Sequence, residues 1–212
     1  MISITVIIVV LTCIVSFVAF SNQKIINDLI FFPPAITNQN QWYRFFTCGL
    51  IHADIAHLAF NMIALFMFGK LVEGSFQEIF GVKGELLYGL LYITALAASL
   101  MPTYSQHKDD YHYRSLGASG AVSAVVFVGI ILYPLDKIYL MFIPIGIPGF
   151  IFGPLYLFIS AYMSKRGGGN INHSAHIWGA IYGIAFFIVA SFALTDSNPI
   201  TNFISEIKAY LG

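Results

Sequence analysis

The sequence predicts an all-α polytopic membrane protein, on three observations: an oily composition, six apolar segments, and one long aromatic loop between the first two. Of 212 residues, 58% are hydrophobic and only 9% are Asp, Glu, Lys or Arg, with a mean hydropathy of +0.80. A soluble domain carries about 25% charged residues to keep its surface wet. The 20 Phe and 12 Tyr suit a bilayer, where Phe faces lipid and Tyr sits at the headgroup level.

Residues 2–20 are apolar and long enough for one crossing at about 1.5 Å rise per residue. They resemble a signal peptide in their apolar core, but no positive residue precedes it, so they are read as a retained span. Residues 21–50 form the loop, carrying Phe31-Phe32-Pro33-Pro34 and Trp42-Tyr43-Arg44-Phe45-Phe46. A loop this long and aromatic predicts short helices lying in the headgroup layer. The second span covers 55–72 and ends at Glu73-Gly74; the third covers 86–100 and stops at Met101-Pro102. After a polar stretch at 103–114, the fourth covers 119–132, short for a crossing, and ends at Tyr133-Pro134. The fifth, 143–163, is interrupted by Pro144, Pro148, Gly149, Gly153 and Pro154. A turn is expected over 165–170, then the sixth span at 173–194 and a polar tail. No linker or internal repeat divides the chain, which reads as a single domain over 1–212.

Net charge is zero and no basic tract is present, which gives no reason to expect nucleic acid as a partner. Cys13 in the first span and Cys48 in the loop suggest neither a disulfide framework nor a thiolate metal site. The loops after spans one, three and five hold six of the Lys and Arg residues (Lys24, Arg44, Lys108, Arg114, Lys165, Arg166) against four on the other side (Lys70, Lys83, Lys137, Lys208). That excess mildly favours the first set in the cytoplasm.

Polar groups inside apolar spans cost several kcal/mol to keep there, so they mark function by default. Spans two, four and six begin on one side of the membrane, and each carries such a group near its start: His57 with Asn61, Ser119, and His176. Ser119 sits in Gly117-Ala118-Ser119-Gly120, at a helix N-terminus whose unpaired N–H groups can receive charge on an oxyanion. The same small residues also fit a helix-packing surface. His176, with an ordinary pKa of about 6.5, suits a general base. Gly179 and Gly183 share its face and let a neighbouring backbone approach. His57 and Asn61, four apart, point the same way and can donate to an oxyanion; either histidine can equally clamp helices together. His52, His57 and His176 invite a metal reading, but helical spacing spreads the first two by about 140° and no carboxylate or thiolate completes a set, so no metal or cofactor is expected.

Together these elements resemble the rhomboid family of intramembrane serine proteases in its compact bacterial six-helix form. His57-Leu58-Ala59-Phe60-Asn61 resembles its HxxxN element, Gly117-Ala118-Ser119-Gly120 its GxSG element, and Ala175-His176-Ile177-Trp178-Gly179 its AHxxG element. Residues 69–73 are similar to the glycine-and-glutamate end of its second helix. The resemblance implies Ser119 as nucleophile and His176 as base, with no aspartate. His57, Asn61 and the Ser119 N–H would line the oxyanion hole, with His52 near the cavity and Arg44 structural; Gly120 belongs to the nucleophile element. It further implies transmembrane segments of other proteins as substrates, gating by the fifth helix, and an integral protein of the bacterial inner membrane whose site opens to the outer face. That orientation runs against the Lys/Arg excess, which is too small to overrule the site match. The sequence departs from the pattern at Tyr43, where a tryptophan is common before the arginine. It departs again at Ser123, where some members place a tyrosine that stacks under the histidine, so His176 is expected to be held differently here. A catalytically silent, client-binding relative and a transporter using buried histidines are the other functions the residues allow.

Overall fold

A computed structural model describes residues 3–140, 143–166 and 171–212. Helix α1 (Ile4–Phe20) leads into the loop, which holds three short helices: α2 (Gln23–Leu29), α3 (Pro33–Gln39) and α4 (Arg44–Thr47). Helix α5 (Ile55–Phe80) and α6 (Gly84–His107) follow, joined by a single 3₁₀ turn, and then α7 (Ser119–Leu132). A two-stranded antiparallel hairpin, β1 (Lys137–Leu140) and β2 (Ile143–Pro148), precedes α8 (Gly149–Arg166), α9 (His173–Leu194) and α10 (Pro199–Leu211).

Helix α1 shows what solvent the bundle is built for. Its buried face carries Thr5, Thr12 and Ser16, each 0% exposed, while Ile14 and Phe17 on the other side are 58% and 56% exposed. A helix that hides hydroxyls and shows large apolar groups is arranged for lipid outside and polar pairing inside. The Thr5 hydroxyl lies 2.8 Å from that of Tyr88 on α6. Glu73, near the end of α5's apolar stretch, closes the start of α1: it accepts from the Ser3 hydroxyl and from the backbone N–H groups of Ile4, at 2.6 Å, and Thr5. A carboxylate there satisfies donors that α1 leaves unpaired and meets the positive end of its dipole.

Helix α7 is the centre, packed against α5, α6 and α9, with Ala121, Ala124, Val125 and Val128 fully buried. Its tightest contact is with α9. A Cβ added at Gly179 would fall on the carbonyl of Gly120, and one at Gly183 on that of Ala124. Only glycine lets the two backbones meet this closely.

Several expectations change. The segment read as a span from 143 begins as strand β2, because Pro144 and Pro148 remove backbone donors a helix would use, and α8 starts only at Gly149. The all-α bundle thus carries one short hairpin among its described residues. Helices α5 and α6 run past the spans expected at 55–72 and 86–100; Pro102 lies inside α6 without ending it. The glycine-rich part of the turn, 167–170, and residue 2 of the first span lie outside the described residues. By length and hydropathy, two helical stretches among the described residues are long and apolar enough to cross a bilayer, Ile55–His107 and His173–Leu194. The helices Ile4–Phe20 and Ser119–Leu132 are apolar but shorter, so this measure gives two stretches where six spans were expected.

Gly179→Ala is expected to lower stability by about 1–3 kcal/mol, because overpacking at this contact must part the helices. Gly74→Ala on α5, where an added Cβ meets no atom within 4 Å, is expected to be neutral or stabilising. Thermal unfolding in detergent checks both, and equal effects would refute the close contact.

Candidate functional site

The loop that leads into Ser119 is built from backbone pairing before any side chain is considered. Ser115 exchanges two backbone hydrogen bonds with Phe31 of the first loop, at 3.0 and 3.1 Å. The Gly117 N–H reaches the Cys48 carbonyl at 2.9 Å. Gly117 has φ +110°, open to glycine, and a Cβ there would also meet the His57 ring at 2.7 Å. The chain then enters α7 at Ser119, whose position is fixed from both sides.

The first loop that supports this pairing is held by Arg44, only 6% exposed. Its Nη1 donates to the carbonyls of Asn27 and Ile30 at 2.9 and 2.7 Å, and its Nε to the side-chain oxygen of Gln41. Both carbonyls belong to the end of α2, where a cation also complements the dipole. Trp42, stacked against Phe45, and Tyr43 leave their outer faces exposed.

His52 ties three elements together. Its Nε2 lies 3.5 Å from the N–H of Ala118, and its Nδ1 lies 3.0 Å from the Ser16 hydroxyl of α1, which itself donates to the Leu50 carbonyl at 2.9 Å. These roles agree only if Nδ1 carries the proton and Nε2 accepts. Burial, followed by the neighbouring His57, pushes the His52 pKa down to about 3, so it sits neutral. His52 precedes α5, which starts at Ile55, so the helical spread expected between His52 and His57 does not apply. Their rings meet edge to face with centroids 4.9 Å apart.

Across α7, the Nε2 of His176 lies 2.8 Å from the Oγ of Ser119. The glycine contact between α7 and α9 allows so short a side chain to bridge the helices. His57 and Ser119 line one cleft, with Ser99, Ser115, Gly117 and Asn172 in its wall. Asn61 does not turn toward Ser119: its amide donates to the His57 carbonyl on its own helix at 2.9 Å. Three neighbours went unflagged in the sequence. His173 meets His176 edge to face at 5.7 Å, Tyr156 of α8 lies parallel to its ring, and Ser99 sits where a Gly120 Cβ would go. Tyr156 and Ser99 reach the site from helices whose sequences carry no motif, and His173 opens the helix of His176 itself, one turn ahead of it. Among the described residues, no group of three or more His, Cys, Asp or Glu converges as a metal-binding set.

The fold and this geometry define a helical bundle with a hydrogen-bonded serine–histidine pair at the mouth of its central helix. The chain belongs to the rhomboid family: its residues 39–192 match the Rhomboid domain, and every residue named above as a candidate for the site falls inside that stretch. It is similar to RHOMBOID-like protein 12, mitochondrial, of Arabidopsis thaliana, 31% identical over 142 residues, covering 63% of this chain and 42% of that protein. It is also similar to the rhomboid protease GluP of Bacillus subtilis, 32% identical over 161 residues, 76% of this chain and 28% of that protein. The chain thus spans less than half the length of these two relatives.

A histidine held neutral in the fold but free to charge when unfolded makes stability fall on acidification. Below its ordinary 6.5 the unfolded state binds the extra proton, and the loss continues until the folded pKa near 3 is reached. The protein is therefore expected to lose stability as pH drops from about 6.5 toward 3, and His52→Asn to show a shallower loss over that window. Melting curves across pH in detergent check this; parallel curves would refute it. Arg44→Lys is expected to cost about 1–3 kcal/mol, since an ammonium cannot reproduce the fork onto two carbonyls and an amide. Limited proteolysis within 21–50 should rise with it.

Proposed function

We propose that this chain is an intramembrane serine endopeptidase that hydrolyses a peptide bond in the transmembrane segment of another protein. The observation that carries the reading is the 2.8 Å approach of His176 Nε2 to Ser119 Oγ at the start of α7. Six crossings, α1 and α5 to α9, form the domain over 1–212. Helix α7 has 14 residues, about 21 Å, against a hydrocarbon core of about 30 Å. A helix that short, central in the bundle, can begin well below the surface, so Ser119 meets a segment within the membrane rather than above it.

In this mechanism His176 carries its proton on Nδ1 and accepts the Ser119 hydroxyl proton at Nε2 as Oγ attacks the scissile carbonyl. The negative charge on the carbonyl oxygen is met by the Ser119 backbone N–H, which opens α7, and by His57, whose ring lines the same cleft. Asn61 joins them only after releasing the His57 carbonyl. The imidazolium then protonates the leaving amine. Water attacks the acyl-serine ester, its proton passing through His176 back to Ser119 Oγ, and the new carboxylate leaves. Helical substrates hide their carbonyls in i→i−4 bonds, so segments holding Gly or Pro, which unwind at less cost, are favoured. The reading requires no metal or cofactor, and its partners are the bilayer and client transmembrane segments. The similarity to a bacterial rhomboid protease supports a bacterial inner membrane, with the cleft open to the outer face.

Labelling by a fluorophosphonate in detergent, paired with cleavage of a transmembrane substrate in proteoliposomes, tests the reading. The wild type should label and cleave, Ser119→Ala should do neither, and His176→Ala should fall at least about 10²-fold in both. Labelling unaffected by the histidine change would falsify the dyad. Substrate binding without cleavage or labelling would instead favour a catalytically silent, client-binding relative.

A further inference from the structure

Four residues after Ser119, one turn along α7, stands Ser123, too short to touch the imidazole. The place beside the ring is filled from another helix. Tyr156 of α8 lies nearly parallel to His176, at 18° with centroids 6.1 Å apart, the geometry of an offset stack. Its hydroxyl lies 3.1 Å from that of Ser123. Phe152 and Phe127 brace its ring, with centroids 5.9 and 5.7 Å away.

From this arrangement we infer that Tyr156 is a positioning residue for His176, anchored by Ser123, so that alignment of the serine–histidine pair depends on the seating of α8. The inference rests on the reading of Ser119 and His176 as a dyad. Among the described residues, Ser119 is the only side chain hydrogen-bonded to the His176 ring. A single hydrogen bond fixes one nitrogen but leaves the plane of the ring free to swing; a parallel aromatic face restricts that plane. The Tyr156 hydroxyl, bonded to the helix that begins with the nucleophile, sets the face in register with Ser119.

The source of the tyrosine has a consequence. Helix α8 buries only Gly149, Gly153 and Ser160, and exposes Phe158 and Tyr162. It is loosely held compared with α7, whose contact with α9 is backbone on backbone. A shift of α8 therefore withdraws Tyr156 from His176 without moving Ser119. The pair is aligned when α8 is seated and loosened when it is displaced.

The rate constant of fluorophosphonate labelling per active site reads alignment independently of the fraction folded. Tyr156→Leu is expected to slow it about tenfold and to lower kcat by a similar factor with KM nearly unchanged. Tyr156→Phe and Ser123→Ala keep the packing and should each slow it about two- to threefold. Their double variant should be no slower than either, because both remove one hydrogen bond. Adding Ser123→Tyr to Tyr156→Leu should restore much of the rate by supplying a ring from α7. Wild-type labelling rates in Tyr156→Leu, or additive effects of Tyr156→Phe and Ser123→Ala, overturn the inference while leaving the dyad intact. Should Tyr156→Leu fail to fold, the Phe/Ala cycle decides alone. A wild type that does not label overturns the dyad itself, a different result.

Discussion

Everything at the site depends on two helix backbones meeting without side chains between them. Gly179 of α9 rests on Gly120 of α7, and Gly183 rests on Ala124 one turn further on. Serine has the shortest side chain that carries a nucleophile, so its partner imidazole must come from a helix nearly in backbone contact. Any methyl at either glycine would hold α9 off by more than the 2.8 Å hydrogen bond tolerates. Packing and chemistry are thus one constraint, and the residues that enforce it are those with nothing to contribute chemically.

The rest of the bundle follows the same economy of lipid-exposed folding. Apolar burial cannot drive helices together when lipid is as apolar as the core, so small residues and interhelical hydrogen bonds take that part. The hydroxyl pair Thr5–Tyr88, the Glu73 carboxylate on the first N–H groups of α1, and His52 between Ser16 and Ala118 each join elements far apart in sequence. Even Arg44, a buried charge, holds backbone carbonyls of the first loop, and that loop in turn pairs with Ser115, four residues before Ser119. One polar path runs from Ser16 of α1 through His52 to Ala118, the residue before Ser119.

What the sequence disclosed was whatever repeats at fixed spacing or stands out chemically. Helices α7 and α9 begin and end where apolarity does, and Ser119, His57 and His176 stand out as polar groups in oil. Strand β2 was hidden because Ile143 to Pro148 is as apolar as a span; only its prolines mark it, and prolines also occur in membrane helices. The lengths of α5 and α6 were hidden because their ends run on into polar turns. Asn61's bond to the His57 carbonyl follows from a rotamer, which spacing does not encode. Tyr156 was hidden most deeply. Ser123 announces that a ring is absent from α7, but only the packing of α8 shows where one comes from.

That substitution bears on why a serine–histidine pair can do without a carboxylate. An acidic third residue would fix the imidazole and support its charge, but an ionised carboxylate in a lipid-bounded interior carries a large desolvation cost unless further donors satisfy it. Glu73 shows what such satisfaction takes here: a hydroxyl and two backbone N–H groups at a helix start. Among the described residues no side chain but Ser119 is hydrogen-bonded to the His176 ring, and His173 and Tyr156 stand beside it. An aromatic face restrains the ring at no charge and with one hydroxyl to satisfy, which Ser123 does. In the proposed dyad orientation is kept and charge support is given up, so its speed would rest on how well its parts are aligned.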